Sequence, residues 1–117
     1  MKITFLGGGN MANALISGLL KRGTQVSNIL VLEQDAAARQ RLTDSCGVTC
    51  LAAADASTWR TDIIVLAVKP QQMQAALQVL KPCLASQIVI SIAAGLRLET
   101  LSRWLGEAPV EKAPAWL

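Results

Sequence analysis

A chain of 117 residues is long enough for one domain with a sizeable core and too short for two, and its 52% hydrophobic content excludes a disordered chain. The formal net charge of +3 comes from 11 basic and 8 acidic residues with no run of either, so there is no footprint for nucleic acid and only a mild attraction for anions. With no histidine, Ser-His and Cys-His catalysis are excluded within the chain, and Cys46 and Cys50 lack the further ligands that a zinc site requires.

In chain order, Ile3, Phe5 and Leu6 form a short apolar run suited to a buried strand. The run stops at Gly7-Gly8-Gly9. An amphipathic helix is expected from Asn10 to Arg22, with Met11, Leu15, Ile16 and Leu19 at helical spacing. Strand, glycine turn and helix are the context that the dinucleotide fingerprint G-x-G-x-x-G/A requires, and its three places fall on Gly7, Gly9 and Ala12. Gly7 permits the tight turn. Gly9 lets a pyrophosphate approach backbone that carries no Cβ, and Ala12 keeps the helix close to the strand. The free N–H groups at the helix start, helped by its dipole, would then hold the phosphates. Lys2 leads into an apolar run too short for a secretory h-region, and no apolar stretch is long enough to span a bilayer. A cytoplasmic location is therefore expected, with the odd number of cysteines, Cys46, Cys50 and Cys83, as reduced thiols.

Gly23 closes the first helix, and Thr24 to Asn28 is a polar connection. Ile29 to Leu32 reads as a second strand ending in Glu33-Gln34-Asp35. An acidic side chain at this point, about 24 residues beyond Gly9, holds the adenosine ribose in a dinucleotide-binding unit. Glu33 has two readings, ribose ligand or helix-start residue. Asp35 suits the N-cap of the next helix, Ala36 to Ser45. Arg39 and Arg41 on that helix face either a 2′-phosphate or solvent. Gly47 ends the helix. Val48 to Cys50 is a short third strand, and Leu51 to Arg60 an alanine-rich connection or a short helix capped by Ser57.

Asp62 to Val68 is a continuous apolar run, as in a parallel strand covered on both faces. Lys69-Pro70 stops it, and Pro70 pre-sets the first turn of a helix from Gln71 to Leu80. Gln87 to Ile92 is the fifth strand, followed by the small-residue turn Ala93-Ala94-Gly95. Leu98 to Leu105 is a helix ended by Gly106. Glu107 to Leu117, with Pro109 and Pro114, reads as a tail or linker. Alternating strands and helices imply an α/β fold: a doubly wound, Rossmann-like parallel sheet of about five strands, occupying residues 1–106 with 107–117 as the tail. Ligands bind such sheets at the carboxyl ends of the strands, where the turns Gly7 to Ala12, Ala67 to Pro70 and Ala93 to Gly95 would converge.

Three phrases, FLGGGNMANALISGL, LAVKPQQM and VISIAAG, resemble the amino-terminal half of pyrroline-5-carboxylate reductases, in order and at the right separations over about Met1 to Leu105. The resemblance implies hydride transfer from NADPH or NADH to Δ1-pyrroline-5-carboxylate, giving L-proline. It places the cofactor phosphates on Gly7, Gly8, Gly9, Asn10, Met11 and Ala12. It places the nicotinamide half near the backbone of Ala67, Val68, Lys69 and Pro70. It names no general acid and no metal in this chain. Where family members often carry a cofactor-binding asparagine before the fourth strand, this chain has Ala54, with Asp55 an unlikely substitute. The family continues into an all-helical second domain that supplies most of the substrate site and the homo-oligomer contacts, so the chain is expected to be the cofactor-binding half. The negative charge of Glu33 opposes NADPH, whereas the resemblance implies its ready use. Two alternatives are a dinucleotide-binding module without turnover, and another reductase with a similar amino-terminal domain. The second would be a β-hydroxyacid dehydrogenase or a deazaflavin-dependent NADP reductase.

Overall fold

In a computed structural model that describes residues 1–93 and 95–117, six strands of the described residues form one sheet in the order β3-β2-β1-β4-β5-β6, every neighbouring pair parallel. The elements are β1 (Ile3–Leu6), α1 (Asn10–Lys21), β2 (Ile29–Leu32), α2 (Ala36–Cys46), β3 (Thr49–Leu51), β4 (Ile63–Leu66), α3 (Pro70–Leu80), β5 (Ile88–Ser91), α4 (Leu98–Trp104) and β6 (Glu111–Lys112). The doubly wound sheet is thus present, with one strand more than the sequence suggests. All four residues of β1 and all four of β4 are buried, because both strands are covered on both faces.

Each face has its own apolar cluster. On one, Phe5, Val31 and Val65 meet Ala12, Ile16 and Leu19 of α1 and Leu42 of α2. On the other, Leu6, Ile64, Leu66 and Val89 meet Met73, Leu77 and Leu80 of α3 and Leu101 of α4. Helices α1 and α3 contact the sheet at i, i+4 and i+7, the spacing of a single apolar stripe. Met11, expected on that stripe, is 54% exposed, because Ala12 takes the inward position one residue later.

Two segments depart from a sequence reading. Of the two readings of residues 51–60 the connection holds and the helix does not: residues 52–60 form turns. Asp55 Oδ1 accepts from the Ser57 N–H at 2.9 Å, the Ser57 hydroxyl at 2.6 Å and the Thr58 N–H at 3.1 Å. This side chain satisfies the amides locally, which favours a turn over a helix. The cap is Asp55, with Ser57 as a donor to it.

The second departure is the expected tail. The Glu107 N–H donates to the Ser102 carbonyl at 2.8 Å and the Ser102 hydroxyl to the Ala108 carbonyl at 2.7 Å, folding the chain back after α4. Val110 is then buried, and β6 pairs with β5 in the register Ile90 to Glu111. Leu117 is buried in the first cluster, and the Arg22 guanidinium donates to the Trp116 carbonyl and, at 3.4 Å, to that of Leu117. A two-residue strand of exposed Glu111 and Lys112 has no hydrophobic period to read. Burial of Val110 and Leu117 stabilises by roughly 1.5–3 kcal/mol each. Deleting residues 107–117 should therefore lower stability by about 3 kcal/mol or more in urea denaturation. An unchanged midpoint would show that the segment is a passive tail.

Candidate functional site

The strand order reverses between β1 and β4, and their carboxyl ends diverge there into two turns. Hydrogen bonding continues to the last residues: the Gly7 N–H donates to the Leu32 carbonyl and the Ala67 N–H to that of Leu6, both at 2.8 Å. Above them opens a cleft of about 880 Å³. Its floor and one wall are Gly7, Gly9, Glu33 and Arg41, and the other wall is Ala67, Val68 and Lys69.

The three glycines do different work. Gly7 has φ +101°, and a Cβ there would lie 2.7 Å from the backbone of Ala67 and Val68, so the turn passes directly against the end of β4. At Gly8 a Cβ would meet Leu42 Cδ1 at 2.6 Å, so this residue packs under the turn against α2. At Gly9 a Cβ would meet nothing within 4 Å, because that side faces the cleft. Gly9 is the N-cap of α1, and no side chain caps the helix. The first helical hydrogen bond is from the Asn13 N–H to the Gly9 carbonyl at 3.0 Å, so the N–H groups of Asn10, Met11 and Ala12 have no acceptor inside the helix. Ala12 is buried against the sheet, and Asn10 and Met11 are exposed.

The end of β2 forms the other part of this wall. Glu33 Oε1 accepts from the Gly8 N–H at 2.9 Å, and Oε2 from the Asp35 N–H at 3.0 Å. Asp35 caps α2, its Oδ2 accepting from the Ala38 N–H at 3.0 Å. Arg39 Nη1 donates to the carbonyls of Glu33 and Gln34, at 2.9 and 2.8 Å, and is not part of the cleft wall. Arg41 is part of it. On the opposite side Lys69 is exposed at the N-cap of α3, and Pro70 opens that helix. The turn after β5 is not part of the cleft wall as far as Ala93 and Gly95 define it, since β5 lies beyond β4 from β1; Ala94 falls outside the described residues.

The cleft also has walls that the sequence reading did not assign: Ala52 to Ala54, and Gln72, Ala75, Ala76 and Val79 of α3. A second stripe on α3, at positions 72, 75, 76 and 79 and away from Met73, Leu77 and Leu80, was the available signal. Ala54 stands in the cleft, whereas Asp55 spends its carboxylate on its own turn. That turn is anchored to the sheet, because the Thr4 hydroxyl donates to the Thr58 carbonyl at 3.0 Å. Burial pushes the Cys50 thiol above its ordinary pKa, which disfavours the thiolate.

Two predictions concern these walls. Gly7→Ala should cost roughly 1–3 kcal/mol of stability through its backbone strain, whereas Gly9→Val should stay within about 0.5 kcal/mol of the parent. Urea denaturation of both variants checks this, and equal costs would place the close approach elsewhere. Hydrogen bonds from Ser57, and then from Thr58, hold the Asp55 carboxyl below its ordinary value. A lowered folded-state pKa stabilises above the unfolded value and is lost as pH falls through the folded one. The 55–58 turn should therefore persist at neutral pH and open only in acid below the ordinary Asp value of about 3.9. The Ser57 and Thr58 amide shifts in an acid titration report it, and Asp55→Ala should abolish the step.

Residues 2–95 match the family described as NADP oxidoreductase coenzyme F420-dependent. The chain is 42% identical to the pyrroline-5-carboxylate reductase of Pasteurella multocida over 111 residues, covering 91% of this chain and 40% of that protein. It superposes on the structure of a pyrroline-5-carboxylate reductase from Coxiella burnetii with a TM-score of 0.86 at 32% identity, covering 95% of this chain and 42% of that one. It superposes on the Plasmodium falciparum pyrroline carboxylate reductase, solved with NADP bound, with a TM-score of 0.74 at 26% identity, over 94% of this chain and 40% of that one. The chain thus spans about two fifths of the length of the relatives it matches.

Proposed function

This chain belongs to the family of NADP oxidoreductases, coenzyme F420-dependent, and from its similarity to pyrroline-5-carboxylate reductases we propose that it is the dinucleotide-binding part of one. The reaction is reduction of Δ1-pyrroline-5-carboxylate to L-proline with NADH or NADPH. The carrying observation is that FLGGGNMANALISGL and LAVKPQQM, phrases that resemble pyrroline-5-carboxylate reductases, supply the two turns that face each other across the cleft. Supporting it are the pyrroline-5-carboxylate reductases among its similar proteins.

The residues present fit a dinucleotide. The uncapped start of α1 presents N–H groups and the positive end of the helix dipole to a pyrophosphate. Gly9 leaves open the space above that turn, which a Cβ would begin to fill. The dinucleotide, when bound, supplies the hydride that reduces the C=N bond. The protein's part is to hold and orient it. Ala67, Val68, Lys69 and Pro70 would border the nicotinamide half, and the Lys69 ammonium would attract a carboxylate or a phosphate. The binding unit includes residues 107–117, since β6 completes the sheet. Substrate closure and homo-oligomer contacts belong, in this proposal, to the part of the relatives that this span does not match. A cytoplasmic setting is part of the same proposal; no helix of the described residues is long and apolar enough to cross a membrane.

Positioning a substrate carbon against the nicotinamide, with water excluded, is worth several orders of magnitude in rate. The cleft of this chain is open above the two turns and offers Lys69 as the cation at that end. The 117 residues alone should therefore bind NADH or NADPH in calorimetry while forming proline at the background rate. Gly9→Val should remove binding and keep the fold. A parent chain that binds neither dinucleotide overturns the reading; robust proline formation would mean that these residues build a substrate site themselves.

A further inference from the structure

We propose that Cys46 and Cys50 form a redox-sensitive thiol pair, which a small-molecule disulfide of the glutathione class closes into a Cys46–Cys50 bond and excess thiol reopens. The inference is independent of the dinucleotide reading, and neither cysteine is part of the cleft wall. The decisive observation is that the fold turns the two side chains toward each other. Cys46 is the last residue of α2, and Gly47 reverses the chain in the left-handed region at φ +72°. β3 then packs against the helix it has just left. Val48 and Cys50, two residues apart on extended chain, both turn to the apolar cluster that α2 covers, and Cys46 packs on the same cluster from the helix side. Burial raises the Cys50 pKa most; smaller effects include the Thr43 hydroxyl, which lowers it, and Cys46, which raises it. Thr43 and Cys46 are three residues apart and share one side of α2, so Cys50 lies under that side. Cys83 stands apart, exposed after α3, whose apolar stripe packs on the opposite face of the sheet.

Cys46 has the surroundings of the attacking group. Its Sγ donates to Asn13 Oδ1 at 3.4 Å, and the hydroxyls of Ser17 and Ser45 stand 3.5 Å away, where each can turn to donate to the sulfur. It is half-buried rather than enclosed. Burial disfavours the thiolate at Cys50, so Cys50 reacts second. The Cys46 thiolate attacks one sulfur of oxidised glutathione. That S–S bond breaks, and one glutathione leaves as a thiolate, which takes up the proton that Cys46 gave up. Cys50 then attacks the Cys46 sulfur of the mixed disulfide, and its proton passes to the second glutathione as that leaves. Two protein thiols are oxidised to one disulfide, and one glutathione disulfide is reduced to two thiols.

The bond has a structural output. In the dithiol form the Asn13 side-chain amide donates to Ser45 Oγ at 3.3 Å, and the Ser17 hydroxyl to Asn13 Oδ1 at 3.4 Å. With Cys46 these groups tie the end of α2 to the first two turns of α1, the helix that starts at the glycine turn. Swinging the Cys46 sulfur to Cys50 removes its hydrogen bond to Asn13. The pair thus reports redox state to α1 without entering the cleft.

The experiment equilibrates the full chain carrying Cys83→Ser with graded glutathione buffers, folded and in urea, and reads the alkylated products by mass spectrometry. Half-closure in the folded chain should occur at a ratio of squared thiol to disulfide about tenfold higher than in urea, because the fold holds the sulfurs together. Peptide mapping should join Cys46 to Cys50 within one chain, and the Asn13 side-chain amide resonances should shift on closure. Mapping the parent chain gives the same pairing without any substitution. Closure no more favourable folded than in urea, glutathione retained on Cys46 with no internal bond, or bonds between chains in place of the internal one overturns the proposal.

Discussion

The architecture depends on how closely the turn after β1 can pass the end of β4. At Gly7 the backbone takes φ +101°, and even one carbon atom would stand 2.7 Å from Ala67 and Val68. Only glycine meets both demands. With that approach made, β1 and β4 stay paired to Leu6 and Leu66, and α1 and α3 leave toward opposite faces of the sheet. The cleft is the space that these two departures open. A cleft at this place is thus a geometric by-product of winding helices onto both faces from adjacent central strands.

Rigidity of the site comes from polar links that cross between turns. Glu33 joins the β1 and β2 turns through two backbone amides. Thr4 joins β1 to the 55–58 turn, whose shape is set by Asp55, and the Gln87 side-chain amide donates to the Trp59 carbonyl at 2.8 Å. Each link uses a side chain whose partner lies on backbone, where geometry is least free. Among the described residues, no buried side-chain nitrogen or oxygen lacks a hydrogen-bond partner. Pre-set walls of this kind lower the ordering cost of ligand binding.

The two apolar clusters divide the work unevenly. The face under α1 and α2 is finished by Leu117, and the face under α3 and α4 by Val110. One short segment after α4 therefore contributes to both faces. Its prolines and charges protect a two-residue edge strand from pairing outward, which is the usual way that an exposed sheet edge is blunted.

The sequence by itself determined the class of fold, the positions of its first five strands along the chain and the two turns that face the cleft. These features have local causes: continuous apolar runs, stripes at helical spacing, and glycine or proline at the points of reversal. It also determined Asp35 as a cap, because a cap acts within three residues of itself. Only the tertiary structure showed that Glu33 ties the turn after β1 to the turn after β2, since its partner Gly8 is 25 residues away. Only the tertiary structure brought Glu111 and Lys112 into the sheet and buried Val110 and Leu117 beside them. Their burial is a matter of where the chain is brought back to, and two exposed residues between prolines carry no period that announces it. The Ala52 to Ala54 wall was hidden for the same reason. Small side chains mark a ligand surface only once two distant segments stand across a gap from each other.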